Sequence, residues 1–358
     1  MGTTLSYFLS RYCKGIGKDL IMQTQEMGRI WHWRTTVFVG ILLAFILLLG
    51  VSFGPVSLEF TKIIRTLLGL SGGLQEEERT LLLELRLPRV LLAALVGSAL
   101  ATSGAVYQTV FRNPLADPYL LGAAAGAGLG ATLAFTGGNK TFYAALPLFA
   151  FLGGVLAVAA TFMISGKAFA DPATLLLSGI AIGSFATAVQ TYLQQRNSQV
   201  LRPVYSWILG QLTVADWDVV KWAGIYILIA LFILIRMSRL LDGLLLSDEE
   251  AFSLGISPNK IRIIAIGAAT LATATAVSAS GLIGFVGIVV PHLVRGLTKR
   301  ATNRALFTVA LTGAGFLVLA DLGARTLLSP AELPIGVITA FVGAPFLLFV
   351  LRARRVMK

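Results

Sequence analysis

Residues 240–258 read LLDGLLLSDEEAFSLGISP, a polar break between two long apolar runs. The break carries its own helix signals. Ser247 lies three residues before Glu250, the spacing of a capping box, in which each side chain satisfies the other residue's free backbone N–H. Asp248 and Glu249 put negative charge at the positive end of the helix dipole. Gly255 offers a left-handed stop. Pro258, after Ser257, opens the next helix where its missing N–H costs nothing. The spacing predicts a helix of about two turns, too short to cross a membrane. A solvated loop helix and a docking lever for another subunit both fit it, and the flanking sequence has to separate them.

Downstream, residues 263–293 contain no Asp, Glu, Lys or Arg. At 1.5 Å per residue that run is too long for one crossing of a ~30 Å hydrocarbon layer. It divides at Ser280-Gly281 into two crossings whose flanks reach Pro258 and Thr298. The rest of the 358 residues has the same character: 56% hydrophobic, 13% charged, mean hydropathy +0.82. A soluble domain carries about 25% charged residues. The fold class is therefore all-α, a polytopic membrane protein, because runs of about 20 apolar residues make spanning helices rather than barrel strands. The 37 glycines suit spanning helices that approach closely.

Ten crossings are predicted, over about 35–56, 86–107, 119–135, 142–164, 175–194, 219–235, the two on either side of Ser280-Gly281, 304–328 and 333–351. They form one ten-helix transmembrane domain over 35–352, with the 240–258 segment inside it. A basic extension, 1–34, precedes the domain and a basic tail, 353–358, follows it. Residues 204–212, VYSWILGQL, read as a short interfacial helix with Trp207 at the headgroup level. Ten crossings leave both termini on one side. With that side cytoplasmic, 19 of the 29 Lys and Arg fall inside, the positive-inside bias. The formal net charge of +12 follows from this topology, so no nucleic-acid partner is implied; the basic face meets membrane lipid. The 247–250 stretch, SDEE, is then an acidic island on a basic face, repelled by anionic lipid and attracted by a basic protein groove.

Catalysis finds no support in the sequence. There is no G-x-x-x-x-G-K-[ST] phosphate loop; Ser165-Gly166-Lys167 is the nearest fragment. One cysteine, Cys13, and two histidines, His32 and His292, exclude a disulfide and a cysteine metal cluster and argue against a histidine site. Asp321 and Arg325, four apart on one helix, share a face, which leaves two readings open: an internal ion pair, or Arg325 pointing outward to a partner's carboxylate. Arg86 and Arg89 flank Pro88 at the start of the second crossing, where snorkelling to the interface is the simplest role. Asp117, between Pro114 and Pro118, reads as a turn with a helix N-cap. An ion-driven transporter would need carboxylates in mid-membrane, and Asp321 is the nearest to one.

Four long stretches, RLPRVLLAALVGSALATSGAVYQTVFRNPLADPYLLG (86–122), GLIGFVGIVVPHLVR (281–295), LADLGAR (319–325) and AELPIGVITAFVGAPFLLFVLR (331–352), closely resemble the FecCD/BtuC-type permeases of bacterial ABC importers. That family handles ferric siderophores, haem and vitamin B12. The resemblance implies a homodimer in the bacterial cytoplasmic (inner) membrane, two cytoplasmic ATP-binding-cassette subunits using ATP and Mg, and an extracytoplasmic substrate-binding protein, with no cofactor in this chain. It implies an ATPase-coupling segment made of Ser247, Asp248, Glu249, Glu250, Ala251, Leu254 and Gly255. The family's outer arginines, which meet the binding protein, fall on Arg86, Arg89 and Arg325. Its cytoplasmic gate falls on Asp171, Pro172, Ala173 and Thr174, a turn that departs from the family's hydroxyl-rich pattern. A ferric siderophore is the leading cargo, with haem or cobalamin next. An ion-coupled secondary transporter and a membrane scaffold are the readings from other classes, and the acidic lever counts against the scaffold.

Overall fold

The computed structural model describes residues 33–54, 56–138, 140–166, 171–298 and 305–356. The basic extension up to residue 32, Lys167 and the last two residues of the tail lie outside them. Among the described residues seven helices are long and apolar enough to cross a membrane: α1 (Trp33–Ser52), α3 (Glu76–Val110), α5 (Leu146–Ser165), α6 (Pro172–Arg196), α8 (Trp217–Arg236), α10 (Pro258–Ser280) and α12 (Leu306–Thr326). Two shorter apolar helices, α4 (Ala123–Thr136) and α11 (Val286–Thr298), and α13 (Ile335–Val356), whose apolar part is Ile335–Val350, fall on the third, eighth and tenth expected crossings. Three short helices complete the set used below: α2 (Phe60–Leu67), α7 (Leu201–Ile208) and α9 (Asp248–Ser253).

The bundle is built around α3. Its central residues Val90 to Val110 are mostly buried, against α12, α10, α11 and α8. Small residues make this possible. A Cβ on Gly97 would lie 2.2 Å from the carbonyl oxygen of Gly313, so α3 and α12 touch backbone to backbone. The second crossing was expected to begin at the arginines around Pro88. Instead α3 runs back to Glu76 through a π turn over Leu81–Arg86. Pro88 has no N–H, so one carbonyl of the preceding turn loses its partner where the turn widens. The carbonyl of Leu83 is taken up by the indole N–H of Trp217, at 2.9 Å.

The shortness of α4 and α11 has a common cause. The connector 111–122 and the non-helical segment 281–285 clip each other inside the bundle. The Tyr119 hydroxyl donates to the carbonyl of Ile283 at 2.9 Å and accepts from its N–H at 3.2 Å. The break at Ser280-Gly281 is where the charge-free run was expected to divide. However, α11 resumes only at Val286, after Phe285 takes a left-handed φ of 68°. The α7 segment also differs from its expectation. Trp207 is not at a headgroup surface: it is buried against Ala127, Ala131, Ala150 and Val277. An apolar helix face is attracted to protein interior and to lipid alike, and here protein takes it.

Candidate functional site

Three features carry polar chemistry, at the two ends of the bundle and along one flank. The first is α9. Ser247 and Glu250 form the expected capping box: the Glu250 N–H donates to the Ser247 hydroxyl at 3.2 Å, and the Ser247 N–H to the Glu250 carboxylate at 3.0 Å. The Ser247 N–H and hydroxyl hold that carboxyl below the usual carboxylate range. At the other end Gly255 has φ 74°. The Ile256 N–H reaches the Ala251 carbonyl and the Gly255 N–H that of Phe252, both at 2.9 Å, which is a Schellman stop. Six residues are thus closed at both ends by local bonds.

Long-range contacts fix this helix to the bundle. Asp248 lies 3.6 Å from Arg112 and 3.8 Å from Arg262. Arg112 also donates to the carbonyl of Leu244 at 2.9 Å. Ala251 is buried, and it packs α9 onto the rest of the chain. Glu249 is exposed, and so are Phe252 (58%) and Leu254 (67%). The outward surface of α9 is therefore acidic and apolar at once. Asp171, at the same end, caps α6 and accepts from the Thr174 hydroxyl at 2.6 Å and its N–H at 2.9 Å. Those two bonds pull its carboxyl below the usual range. The hydroxyl of this turn is thus spent locally, with Pro172 and Ala173 completing the first turn of α6.

The second feature is a groove of about 910 Å³ between α6, α4 and the 111–122 connector. Ser184, Thr187, Thr191 and Gln195 line it, a polar stripe along one face of a spanning helix. Asp117 and Tyr119 close one end of it. Asp117 accepts from the Tyr119 N–H at 2.9 Å, which closes the expected turn, but it caps no helix, since the N-cap of α4 is Gly122. Burial pushes its carboxyl up to about 6. Helix α6 is the least covered of the long spans, with 22% of its apolar window buried against 78% for α3. Leu177 and Phe185 of α6 and Phe341 and Phe349 of α13 are large apolar side chains left exposed by the described residues.

The third feature is a charged cluster at the end of α3 away from α9. Arg89 donates from Nε to Asp321 at 2.9 Å and forks onto both oxygens of Glu332, at 3.0 and 2.9 Å. Arg325 lies 3.0 Å from the other Asp321 oxygen and donates to the carbonyl of Gly50 at 2.9 Å. Arg86 gives its guanidinium to the carbonyls of Val51, Ser52 and Val56. The internal reading of Asp321–Arg325 is therefore the one observed. It also corrects the outward placement of Arg86 and Arg325, which are buried because backbone carbonyls and Asp321 take up their N–H groups. Arg89 alone of the three keeps an opening, with 14% of its side chain exposed. Glu332 carried no local signal, since its partner is 243 residues away.

Comparisons with known proteins agree with this architecture. The sequence profile of the FecCD transport family matches residues 42–353. The chain is 39% identical over 289 residues to the cobalamin import system permease protein BtuC of Halobacterium salinarum, covering 80% of this chain and 77% of that one. It is 38% identical to the hemin transport system permease protein HmuU of Yersinia pestis, covering 92% and 98%. It is 38% identical to the Fe(3+) dicitrate transport system permease protein FecD of Escherichia coli, covering 77% and 86%. A metal-chelate type ABC transporter solved in an inward-facing conformation superposes with a TM-score of 0.80 at 30% identity, covering 90% of this chain and 99% of that one.

Proposed function

Because the chain belongs to the FecCD transport family, whose permeases serve ABC importers of iron chelates, haem or vitamin B12, we propose that its cargo is an iron chelate and that α9 is where ATPase subunits drive it. The observation that carries the mechanism is α9 itself. It is stiffened at both ends by local bonds, tied by Asp248 to Arg112 and Arg262, and exposes Glu249, Phe252 and Leu254. A force on that surface passes through Arg112 into the connector and through Arg262 into α10. An acidic and apolar knob suits a basic, partly apolar cleft on an ATPase.

In this reading the α9 end is cytoplasmic and the arginine cluster faces out. A second copy covers the apolar flank of α6 and α13, and the polar stripe of α6 lines the path between the copies. ATP and Mg belong to the ATPase subunits, and an extracytoplasmic binding protein supplies cargo recognition. Closure of the ATPases tilts α6 and α13 and alternates access. The buried Asp321 is committed to Arg89 and Arg325, which takes it out of ion coupling. The test is purification of the tagged chain with its ATPase, followed by uptake into vesicles loaded with ATP and supplied with the cognate binding protein. Uptake of a ferric siderophore, unaffected by excess haem or cobalamin, is expected. Haem or cobalamin uptake in its place transfers the assignment to that cargo, and ATP-independent uptake overturns the mechanism.

A further inference from the structure

The groove between α6, α4 and the 111–122 connector carries charge of one sign. Its α6 wall offers three hydroxyls and an amide, from Ser184, Thr187, Thr191 and Gln195. None of the described residues that line it is Lys, Arg or His, and Asp117 is the one carboxyl in the lining. One Asp117 oxygen accepts from the Tyr119 N–H, and no cation is paired with the group among the described residues. Arg112, five residues earlier, is turned away to the carbonyls of Leu244 and Leu246 and to Asp248. Arg196 stands past the end of the lining, exposed, with Nη1 3.4 Å from the Tyr192 hydroxyl; a solvated cation there is screened. The Asp117 carboxyl, raised only to about 6, is mostly ionised at neutral pH. A charge set in low-dielectric walls directs its field into the cleft.

We propose that this groove selects cargo by charge: it passes iron chelates whose outer surface is neutral or cationic and rich in amide, hydroxyl or hydroxamate groups, and Asp117 is the residue that turns polyanionic chelates away. The hydroxyls and the amide both donate and accept, so they solvate a neutral polar chelate along the wall. A chelate bearing several carboxylates or phenolates finds no cation there, and each of its charges adds to the repulsion from Asp117. Haem, with two propionates, is turned away on the same ground. The proposal rests on the reading of this groove as the path between two copies, and the second copy brings a second Asp117 to it.

The field at the wall is measured without cargo, ATPase or binding protein. Cys13→Ser removes the chain's one thiol. Ser184→Cys or Gln195→Cys then places a thiol in the groove of the full-length chain in nanodiscs. The connector packs on α6 at Gly179 and Gly183, so residue 184 is at the Asp117 end and residue 195 is far from it. Each thiol is reacted with trimethylammonioethyl and with sulfonatoethyl methanethiosulfonate, probes of similar size and opposite charge. Both react with the same thiolate, so their rate ratio, divided by that of a free thiol, reports the local potential and cancels changes in thiol reactivity. At residue 184 the cationic probe should be favoured. Asp117→Asn should lower that ratio at least about three-fold, with a smaller change at residue 195. In the vesicle assay Asp117→Asn should raise uptake of ferric N-succinyl-desferrioxamine B, an anion, relative to ferric desferrioxamine B, a cation. An unchanged ratio at residue 184, or equal changes at both positions, would overturn the charge selection and leave the path in place. If the Asn variant folds poorly, the Asp117 chain decides: no preference for the cation at residue 184 overturns it. Thiols that react with neither probe would show a groove closed to water, which removes the path and the charge selection together.

Discussion

Two carboxylates of this chain sit in opposite electrostatic settings. Asp321 neutralises Arg89 and Arg325 in the interior. Asp321→Ala leaves both guanidiniums underpaired, and a loss of about 3–5 kcal/mol is expected for breaking a buried pair from one side. The check is a marked fall in the melting temperature of the detergent-purified chain, or its failure to accumulate. Asp117 has no such cation among the described residues, and its carboxyl is raised to about 6 by burial. A raised acid stabilises the fold while protonated. That contribution is full below the unfolded value near 4 and is lost as pH rises through about 6. Wild-type melting temperature should therefore fall between pH 4 and pH 7. Asp117→Asn keeps the acceptor for the Tyr119 N–H and should flatten that part of the curve. An identical slope in the variant would assign the pH dependence elsewhere.

At the scale of elements, α9 shows what six residues need in order to stay helical. Ser247→Ala removes the N-cap acceptor and should cost about 1 kcal/mol locally. Amide exchange across 248–254 should then speed several-fold, with the spanning helices unchanged. This element was legible in the sequence because its signals are local: a hydroxyl and a carboxylate three apart, then glycine, then proline. The crossings were legible for a similar reason, since hydropathy integrates over a window as long as the helix. What escaped was set by distant partners. Tyr119 and Ile283 shorten α4 and α11 from either side of a clip, and no window holds both residues. Arg86 reads as a snorkelling side chain, yet the carbonyls of Val51, Ser52 and Val56 turn it inward. Trp207 has the amphipathic look of an interface residue, and hydropathy does not distinguish lipid headgroups from a neighbouring subunit surface or a protein core.

For the whole molecule, the chemistry is divided between two ends joined by a nearly uncharged bundle. One end holds an exposed acidic knob, the other an arginine cluster closed by its own carboxylates, and the polar stripe of α6 runs between them. In the proposed function the motor lies outside this chain and the lever within it, at α9. Gly255→Pro addresses that division directly. Proline cannot take the φ of 74° or supply the N–H that bonds Phe252 O, so the Schellman stop is lost while the spans are left alone. ATP hydrolysis and cargo uptake should be measured together in proteoliposomes holding the chain with its ATPase. Uptake should fall at least about ten-fold while basal hydrolysis continues; wild-type uptake per ATP from the same variant would contradict a coupling role for α9.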